Sequence, residues 1–580
     1  PILNRLRLSG LQNRPEDKVK VIFVPCYLDG EDGIFNLSYY DLLIGFDASV
    51  FPSYYEPWGY TPMESIAFRI PTLTTSLSGF GRWILDMPEA PQGVAVVQRD
   101  DLNAPEVVES IAGHLLHFCQ SDAQSRRQLR EEAGKLSKEF LWESLASHYD
   151  KAFAKAASKW EASPSLLSKK QPVSQSQLSQ TAIREPEWRK ILIIYQLPEK
   201  LQRLKELSNN LWWCWHTEAQ ELWNEIDPQA WDACGHNPVA LLGNLSTLRL
   251  QQLQDDEVFL AKLDKVYQDF QSYMKQSEQK TGPKVAYFCM EYGLHESLKI
   301  YSGGLGILAG DYLKEASDKN VDMVGVGLLY RYGYFEQQLD GSGKQKAVYA
   351  PQSFSKLPLL PVRDENGQWR TLKISLPGRT LNAKIWRVQV GRVPLFLLDT
   401  DIESNSEADR SITHQLYGGD WENRFKQEIL LGIGGIRTLR QLGIEPDVYH
   451  CNEGHGAFTS LERLRAYIEE QGLGFWKAKE LVRESSLFTT HTPVPAGHDA
   501  FQEDMVRTYF GAWAERLKIS WQEFMGLGRI SPEHTWDKFS MSHLAVNLSS
   551  GVNGVSRIHG QVSQEMFAPL YPGYYPKEVP

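Results

Sequence analysis

The sequence of 580 residues contains no apolar run long enough to cross a membrane as a helix. Positive charge is also scarce, because 72 acidic residues outnumber 61 lysines and arginines and leave a formal net charge of -11. This balance argues against general binding to nucleic acid or to an anionic membrane. The six cysteines form no C-x-x-C pair, so we expect no disulfide framework, no structural zinc and a reducing, cytoplasmic location.

The two ends of the chain lack the usual features of a complete protein. The first residues, P-I-L-N-R-L-R-L-S-G, do not contain the long apolar core of a signal peptide. The chain has no initial Met and stops at Y-P-G-Y-Y-P-K-E-V-P, so we expect it to be part of a longer protein. Its length predicts several domains, since one hydrophobic core rarely serves more than about 300 residues.

A glycine-rich loop lies between a predicted strand and a predicted helix. The strand is V-A-Y-F-C-M (285–290), and the loop and helix begin Y-S-G-G-L-G-I-L-A-G-D-Y-L (301–313). Apolar residues recur at helical spacing as far as Ala316, and a second strand follows at 321–330. This order directs backbone N–H groups and a positive dipole end at one point, which suits a phosphate. Glycines also serve tight turns and close packing, so the loop alone leaves both interpretations open.

Residues 1–157 predict an α/β domain with a parallel sheet. Apolar runs at 19–25, 47–53 and 70–75 indicate strands, and helical patterns lie between and after them. The carboxyl ends of such strands form the ligand crevice. At the end of the domain an apolar stripe on a terminal helix predicts core packing and consists of Leu136, Phe140, Leu145, Tyr149 and Phe153.

Two loops of this domain carry candidate binding residues. The second strand runs into Y-Y-E-P-W-G-Y-T-P-M-E, which holds Glu56 and Glu64, and the third runs into S-L-S-G-F-G. We expect Glu64 in the first turn of a helix that begins after Pro62, where a lone glutamate usually compensates the helix dipole. The combined strings F-P-S-Y-Y-E-P-W-G-Y-T-P-M-E and L-S-G-F-G, however, resemble eukaryote-type glycogen synthases.

That resemblance implies the nucleotide-sugar half of a glycosyltransferase. It implies that Glu56 lies near the transferred glucose, and that the remaining nucleotide-sugar-binding residues are Thr61 (donor phosphates), Glu64 (donor ribose), Gly79 and Gly81. The acceptor-binding half of the synthase is missing from the chain. We also find no cluster like the arginine-rich helix with which the eukaryotic enzymes sense glucose 6-phosphate.

Residues 158–187 are rich in Ser, Gln and Pro and show no apolar periodicity, which predicts a flexible linker. After it, residues 188–280 predict a helical subdomain with five tryptophans between positions 211 and 231. Tryptophan rings stack on sugars, so a glucan platform is one interpretation. Burial in the core of the subdomain is the favoured one.

Residues 281–580 predict a second α/β domain in which several strands end in polar loops. One strand (447–450) runs into C-N-E-G-H-G-A, another (486–490) is followed by His491, and a helix is expected to begin within 553–560. Strand exits converge on one edge of a doubly wound sheet, and their Gly, Asn, Glu, His and Arg side chains suit a polyhydroxylated ligand beside a phosphate. The order H-x-x-E-x-H also suggests a metal, but its spacing is not that of a helical zinc site, so we expect none.

Five motifs in this part resemble short bacterial α-glucan (glycogen) phosphorylases: C-M-E-Y-G-L-H-E-S, Y-S-G-G-L-G-I-L-A-G-D, H-C-N-E-G-H-G-A-F, T-T-H-T-P-V-P-A-G-H and V-N-G-V-S-R-I-H-G. The resemblance covers 188–580. It implies that His491 binds the 6-hydroxyl of the transferred glucose and that Glu453 lines the same pocket. The substrate- and phosphate-binding residues that it implies are Gly303, Gly304, Leu305, Asn452 and Arg557.

The family reaction is phosphorolysis of α-1,4-glucan ends to glucose 1-phosphate, with pyridoxal phosphate as cofactor. This accounts for the lack of the paired carboxylates that a glycosidase needs. The family's cofactor lysine belongs to a C-terminal domain beyond residue 580, so no cofactor lysine is expected here. The resemblance implies two Rossmann-like lobes of the two-domain (GT-B) glycosyltransferase fold, joined by the linker, and family habit suggests a homodimer. The partners implied are glycogen or maltodextrin, phosphate, glucose 1-phosphate and, for residues 1–157, a nucleotide-glucose.

Three hypotheses about function follow. In the first, the chain is the middle of a synthase–phosphorylase fusion and holds half of each active site, so that it has little activity alone. In the second, it is a non-catalytic glucan-binding or scaffolding protein. In the third, which we favour least, the two halves dock as one hybrid cleft.

Overall fold

The computed structural model describes most of the chain, namely residues 2–24, 28, 30, 34–88, 91–100, 102–141, 149, 151–154, 197–275, 280–340, 343–492 and 497–579. The predicted linker at 158–187 lies outside these ranges. The chain divides into an N-terminal unit, Pro1–Leu141 with Phe335–Ala350, and a main unit, Trp142–Tyr334 with Pro351–Pro580. Within the described ranges, no helix is both long enough and apolar enough to cross a membrane.

The strands of the described residues are β1 (Ser49–Val50), β2 (Thr72–Thr75), β3 (Val94–Val97), β4 (Thr281–Phe288), β5 (Val321–Leu328), β6 (Glu336–Leu339), β7 (Gln345–Val348), β8 (Leu360–Pro361), β9 (Thr371–Leu376), β10 (Arg379–Val390), β11 (Val393–Asp399), β12 (Val448–Asn452), β13 (Ser486–Thr490), β14 (Ala500–Phe501), β15 (Phe539–Ser540) and β16 (Gly551–Gly554).

The α-helices are α1 (Ile2–Leu8), α2 (Tyr39–Leu43), α3 (Tyr60–Ala67), α4 (Gly79–Leu85), α5 (Ala104–Gln120), α6 (Ala123–Leu136), α7 (Gln202–Ser208), α8 (Thr217–Ile226), α9 (Pro228–Ala233), α10 (Pro238–Asn244), α11 (Thr247–Asp255), α12 (Glu257–Lys275), α13 (Gly304–Asp318), α14 (Glu407–Arg410), α15 (Trp421–Ile429), α16 (Gly435–Gln441), α17 (Phe458–Glu469), α18 (Phe475–Glu484), α19 (Glu503–Phe510), α20 (Trp513–Arg516), α21 (Trp521–Gly526), α22 (Met541–Asn547) and α23 (Arg557–Phe567).

The N-terminal unit contains a parallel sheet in the order β1-β2-β3, as the alternation of strands and helices predicts. The strand predicted at 19–25 is wrong, because the described residues 19–24 form no strand. Val19 and Ile22 are 59% and 60% exposed there. An apolar run becomes a strand only where a neighbouring strand takes up its backbone hydrogen bonds, and these residues have no such neighbour among those described.

The main unit is built on a mixed sheet in the order β16-β13-β12-β4-β5-β11-β10-β8, with β9 paired to β10. The strands from β16 to β11 are parallel, and β8, β9 and β10 run antiparallel to their partners. The strands predicted from the apolar runs at 285–290, 321–330, 447–450 and 486–490 are confirmed. In the centre of the sheet Cys451 pairs with Phe288 on one side and Phe488 on the other, which brings the carboxyl ends of β4, β12 and β13 together.

The tryptophan-rich segment is core, as favoured from the sequence. Four of its five indole rings are buried, namely those of Trp212, Trp213, Trp223 and Trp231. The fifth, Trp215, is partly buried and donates from Nε1 to the Asp318 carboxylate at 3.2 Å. These rings pack on one another and on helix α12, so they are not available as a sugar platform.

The apolar stripe predicted on one terminal helix is divided between two cores. Leu136 and Phe140 belong to a core cluster of the N-terminal unit. Tyr149 and Phe153 instead pack in the main unit, where the Tyr149 ring lies 4.4 Å from that of Tyr312. Leu145 lies outside the described residues. The boundary between the units therefore falls before Trp142, whereas the sequence pattern places the domain boundary at residue 157.

Candidate active site

A cavity of about 490 Å³ opens at the carboxyl ends of β12 and β13 in the main unit. Loops at this edge of a parallel sheet are the usual ligand-binding elements of α/β domains. Two of the predicted catalytic residues, Glu453 and His491, line it. The complete set of lining residues is Leu305, Tyr417, Gly418, Gly419, Asp420, Trp421, Arg424, Glu453, Gly454, His455, His491, Thr492, Gly497, Asp499 and Ser542.

Glu453 has a backbone conformation that is almost restricted to glycine. Its φ of 70° and ψ of 167° cost an ordinary residue about 1–3 kcal/mol, and such strain is concentrated at functional sites. The side chain offsets part of this cost, because its carboxylate accepts N–H groups from His491 at 2.5 Å, Thr492 at 3.0 Å and Gly454 at 3.3 Å. Burial raises the pKa of Glu453 to about 7, although these donors act in the opposite direction.

His491 is held in a neutral form by its surroundings. Its Nε2 lies 2.6 Å from Oδ1 of Asn452, which is buried, and the Asn452 amide nitrogen donates to Cys289 Sγ at 3.3 Å. This orientation makes Nε2 of the histidine the protonated nitrogen. Burial, with a smaller effect of His559, lowers the pKa of His491 to about 3. The ring is therefore an uncharged hydrogen-bonding group at neutral pH.

Arg424 supplies the positive charge of the cavity. Its Nη2 lies 2.7 Å from Asp499 Oδ2, and its Nε lies 3.2 Å from Glu428 Oε1. Burial raises the pKa of Glu428 well above its usual range. Burial is also the largest single effect on Asp499 and acts to raise its pKa, but the charge and hydrogen bond of Arg424, together with a hydrogen bond from Glu428, lower it. Asp499 therefore carries the charge that balances Arg424.

Some glycines of the glycine-rich loop are closely packed, and others have free space where a side chain would begin. A Cβ on Gly306 would lie 2.9 Å from Glu291 Oε2, and one on Gly310 would lie 2.0 Å from the Gly293 carbonyl oxygen, so both glycines are required for packing. A Cβ on Gly303 or Gly304 would meet no atom within 4 Å. Helix α13 begins at Gly304, and the next residue, Leu305, lines the cavity. The packing interpretation thus holds for Gly306 and Gly310, and phosphate binding at Gly303 and Gly304 stays a prediction.

Arg557 occupies the first position of α23, directly after β16. It is exposed and is not among the residues that line the described cavity. The structure brings in other residues that the motifs did not indicate, namely Tyr417, Asp420, Trp421, Arg424 and Asp499. Tyr417 and Asp420 belong to L-Y-G-G-D before a helix, which reads as an ordinary turn and N-cap, and Asp499 directly follows the T-T-H-T-P-V-P-A-G-H motif.

The metal hypothesis for H-x-x-E-x-H gains no geometric support. Nε2 of His455 accepts the Met290 backbone N–H at 3.0 Å, and Nε2 of His450 lies 2.8 Å from Thr489 Oγ1. Over the residues described, no group of three or more His, Cys, Asp or Glu side chains is placed to hold a metal ion.

In the N-terminal unit the two predicted binding loops are joined. The Gly79 N–H donates to the Glu56 carbonyl oxygen at 2.9 Å, and the Glu56 N–H donates to Leu77 at 3.0 Å. Ser78 caps α4 by accepting the Gly81 N–H at 2.9 Å. Burial raises the pKa of the Glu56 carboxyl, against a hydrogen bond from Ser53 that lowers it.

The other two predicted donor-site residues lie on helix α3, and the expected start of this helix is wrong. The helix begins at Tyr60 rather than after Pro62, because Gly59 takes a φ of 117° that turns the chain into it. Thr61 is exposed in its first turn. Glu64 comes one turn later, where it accepts the Tyr40 hydroxyl at 2.9 Å, so it does not compensate the dipole.

The expectation that the N-terminal unit has no arginine cluster is also corrected. Helix α6 carries Arg126, Arg127 and Arg130, and with Arg69 they line a second cavity of about 490 Å³. Asp47 and Glu131 line it too. Arg126, Arg127 and Arg130 are neighbours in the sequence, and only Arg69 is brought to them by folding. Four cations against two carboxylates suit an anionic ligand.

Comparisons with known proteins divide the chain between residues 187 and 197, at the end of the predicted linker. A family model described as glycogen synthase matches residues 1–187, and one described as a protein of unknown function (DUF3417) matches residues 197–298. The glycogen phosphorylase of Mycobacterium tuberculosis (strain ATCC 25618 / H37Rv) is 44% identical over 416 residues, which cover 68% of this chain and 48% of that protein. The maltodextrin phosphorylase of Thermococcus litoralis is 43% identical over 392 residues, covering 66% of this chain and 46% of the relative.

The glycogen [starch] synthase of Caenorhabditis elegans is 39% identical over 151 residues, which cover 26% of this chain and 22% of that protein. The chain thus joins a glycogen-synthase-type segment to a segment homologous to glycogen and maltodextrin phosphorylases, as the motifs predict. It spans about half the length of the phosphorylases that it matches.

Proposed function

We propose that the main unit supplies the glucan-binding wall of a hexosyltransferase that cleaves α-1,4-glucan with phosphate and releases glucose 1-phosphate. The observation that carries this proposal is the arrangement of Glu453, Asn452 and His491 at the edge of the cavity. A strained, buried glutamate and a neutral histidine with a fixed tautomer form a rigid hydrogen-bonding surface, which suits sugar hydroxyl groups.

Each residue has a role that follows from its contacts. The Nε2–H of His491 is engaged by Asn452, which leaves the remainder of the neutral ring to meet a sugar hydroxyl such as the 6-hydroxyl. Glu453 fixes the backbone on which His491 and Thr492 stand. The N–H groups of Gly303 and Gly304, at the start of α13, are proposed to bind the substrate phosphate. We propose Arg557 as a further phosphate contact, reached when ligand binds.

Pyridoxal phosphate is proposed as cofactor of a protein that extends over the full length of the phosphorylase relatives, where its 5′-phosphate would supply acid–base chemistry beside the substrate phosphate. The residues of this chain do not complete a site for it, because no lysine lines the described cavity. No step is therefore assigned to the cofactor here. We propose that the chain alone binds glucan ends but turns them over weakly or not at all.

We propose that the N-terminal unit binds a nucleotide-glucose through Glu56, Thr61 and the Gly79–Gly81 turn. The support is the pair of backbone hydrogen bonds that holds the Glu56 loop against this turn, together with the match to the synthase family. Glu64 is proposed beside the donor ribose, where its partner Tyr40 orients the carboxylate. A homodimer and a cytoplasmic location complete the proposal.

Titration calorimetry of the chain with maltopentaose tests the main proposal, with cellopentaose as the ligand of the wrong linkage. We expect the chain to bind maltopentaose and not cellopentaose. His491→Ala should weaken it, whereas Trp476→Ala, which changes an exposed ring on α18 outside the cavity, should not. Equal binding of the two sugars, or no binding, contradicts the proposal. A parallel assay of glucose 1-phosphate release from maltodextrin and phosphate should show little activity, and brisk turnover would overturn that part.

The alternative is a non-catalytic glucan-binding or scaffolding protein. It predicts the same calorimetric result, so a second measurement is needed to distinguish it from the proposed enzyme. A protein that extends the chain over the remaining half of its relatives' length should show phosphorolysis if our proposal is right. Retention on a glycogen column without phosphorolysis by that extended protein would favour the alternative.

A further inference from the structure

The carboxylate of Glu291 stands behind the cavity and contacts two of its walls. It follows strand β4 and is only 2% exposed. Its Oε2 accepts the Ser302 backbone N–H at 2.7 Å and the Ser302 hydroxyl at 3.0 Å, and its Oε1 accepts the Tyr417 hydroxyl at 2.6 Å. One buried group thus holds both the start of the glycine-rich loop and an aromatic residue of the opposite rim.

Glu291 contacts two segments, the start of the glycine-rich loop at Ser302 and the segment that contains Tyr417. Tyr417 has a left-handed backbone with φ of 58°, which a tyrosine seldom adopts, and Gly418, Gly419 and Asp420 separate it from helix α15. Its ring is fixed from the other side by the Arg424 guanidinium, 5.1 Å from the ring centroid. Ser302 precedes Gly303 and Gly304, whose positions are not fixed by side-chain packing. Glu291 accepts hydrogen bonds from both segments and so links one to the other.

The tight fit around Glu291 shows that the loop is shaped for it. Gly306 is the residue whose Cβ would lie 2.9 Å from Glu291 Oε2, so the first turn of α13 is glycine where it meets the carboxylate. The Gly293 N–H donates to the Gly306 carbonyl oxygen at 2.7 Å and closes the same turn. Glu291 and the loop therefore form one rigid piece.

We propose that Glu291 is a positioning residue that sets the glycine-rich loop and Tyr417 in place together, so that the two walls of the cavity form as a unit. The proposal rests on the proposed function only for the nature of the ligand. It predicts that loss of the carboxylate loosens the loop and weakens glucan binding at the same time, although Glu291 itself does not line the cavity.

The test compares Glu291→Ala, Glu291→Gln and Tyr417→Phe in the full 580-residue chain. Hydrogen exchange measures the exchange rates of the backbone amides at 301–306, and calorimetry measures the Kd for maltopentaose. Glu291→Ala removes the acceptor of three hydrogen bonds and should raise both the exchange rate and the Kd at least about tenfold. Glu291→Gln keeps an oxygen for Ser302 and should change both less. Tyr417→Phe should weaken maltopentaose binding without raising the exchange rates of the loop amides.

Glu462→Gln is the control for general destabilisation, since Glu462 is a buried carboxylate paired with Arg437 and Arg465 and lies outside the cavity lining. It should lower Tm but leave loop exchange and Kd unchanged. The inference is overturned if Glu291→Ala lowers Tm while loop exchange and Kd stay as in the unaltered chain. If the unaltered chain does not bind maltopentaose, the proposed function fails, and the exchange measurement still decides the role of Glu291.

Discussion

The His491 imidazole donates from Nε2 to the side-chain oxygen of Asn452, 2.6 Å away, and this contact determines which nitrogen of the ring carries the proton. Both residues come from neighbouring parallel strands, β13 and β12, whose ends are aligned by register. A neutral amide in this position leaves the histidine uncharged, whereas a carboxylate would favour its charged form.

Replacing Asn452 with Asp should therefore raise the pKa of His491. The folded chain has a pKa of about 3 at this residue because burial disfavours the imidazolium ion. A buried carboxylate at 2.6 Å would stabilise that ion, so we expect the histidine to be charged at pH 6 in the variant. NMR of the labelled imidazole measures this. Asn452→Ala is the matched control, in which the ring should remain neutral, and a neutral ring in both variants contradicts the prediction.

Glu453 allows backbone strain to be separated from hydrogen bonding. Glu453→Ala keeps the strained φ of 70° and loses the acceptor of three N–H groups, so it should destabilise the main unit by about 2 kcal/mol or more. Glu453→Gly loses the same acceptor but relieves the strain, and should be about 1 kcal/mol more stable than the alanine variant. Urea unfolding followed by circular dichroism gives both values. An alanine variant as stable as the glycine variant would show that the backbone is not strained.

Acid should destabilise the main unit through its buried histidines. Burial lowers the pKa values of His450, His455 and His491 to about 3. Since the unfolded chain takes up these protons below pH 6.5 and the folded chain does not, the contribution of these histidines to stability is full above pH 6.5 and falls as the pH drops toward 3. The raised pKa of Glu453 acts in the opposite direction, so it offsets part of this loss. One such histidine contributes about 2–3 kcal/mol of loss between pH 6.5 and pH 4.5.

His450→Phe tests that contribution away from the cavity. Its ring lies among aromatic side chains, 4.9 Å from that of Tyr287, so phenylalanine fits its surroundings. Unfolding free energies measured from pH 7 to pH 4.5 should fall less steeply in this variant than in the unaltered chain. Parallel curves would mean that His450 does not titrate differently in the folded and unfolded states.

The glycine-rich loop gives a contrast between two substitutions. Gly310→Ala should destabilise the main unit by about 1–3 kcal/mol, because its methyl group would meet the Gly293 carbonyl oxygen. Gly304→Ala meets no neighbour and begins a helix, so stability should stay the same or rise by up to about 1 kcal/mol. If the loop binds phosphate, Gly304→Ala should nevertheless weaken phosphate binding. Thermal unfolding and phosphate titration distinguish the two effects, and unchanged phosphate affinity would remove the loop from the site.

Local patterns predicted those parts of the fold whose elements are decided by neighbours in sequence. The strand, loop and helix around Gly303 and the strands that end in Asn452 and Thr490 occur where the apolar runs place them. The same patterns failed at 19–24, where an apolar run has no partner strand among the described residues. Strand formation depends on a neighbour that the run itself does not contain.

The residues of the candidate site also divide into those that the sequence predicted and those that it did not. Glu453 and His491 were recognised because each follows a buried strand, and parallel strands must end at a common edge. Arg424, Asp499 and Tyr417 were not recognised, since a charged residue that will be buried and paired looks in sequence like any residue on an exposed helix or loop. The three arginines on α6 are visible in the sequence as S-R-R-Q-L-R, whereas their association with Arg69 depends on folding.

The order of residues along the chain is enough to determine its two-part composition, its parallel sheets and the polar residues at their strand ends, because these depend on periodicity and short motifs. The tertiary structure alone decided which glycines are packed and which are open, and that Tyr149 and Phe153 belong to the core of the main unit. It also decided that Glu291 links the glycine-rich loop to Tyr417. The contact between Glu291 and Tyr417 joins residues 126 positions apart, and only packing determines which distant side chains meet.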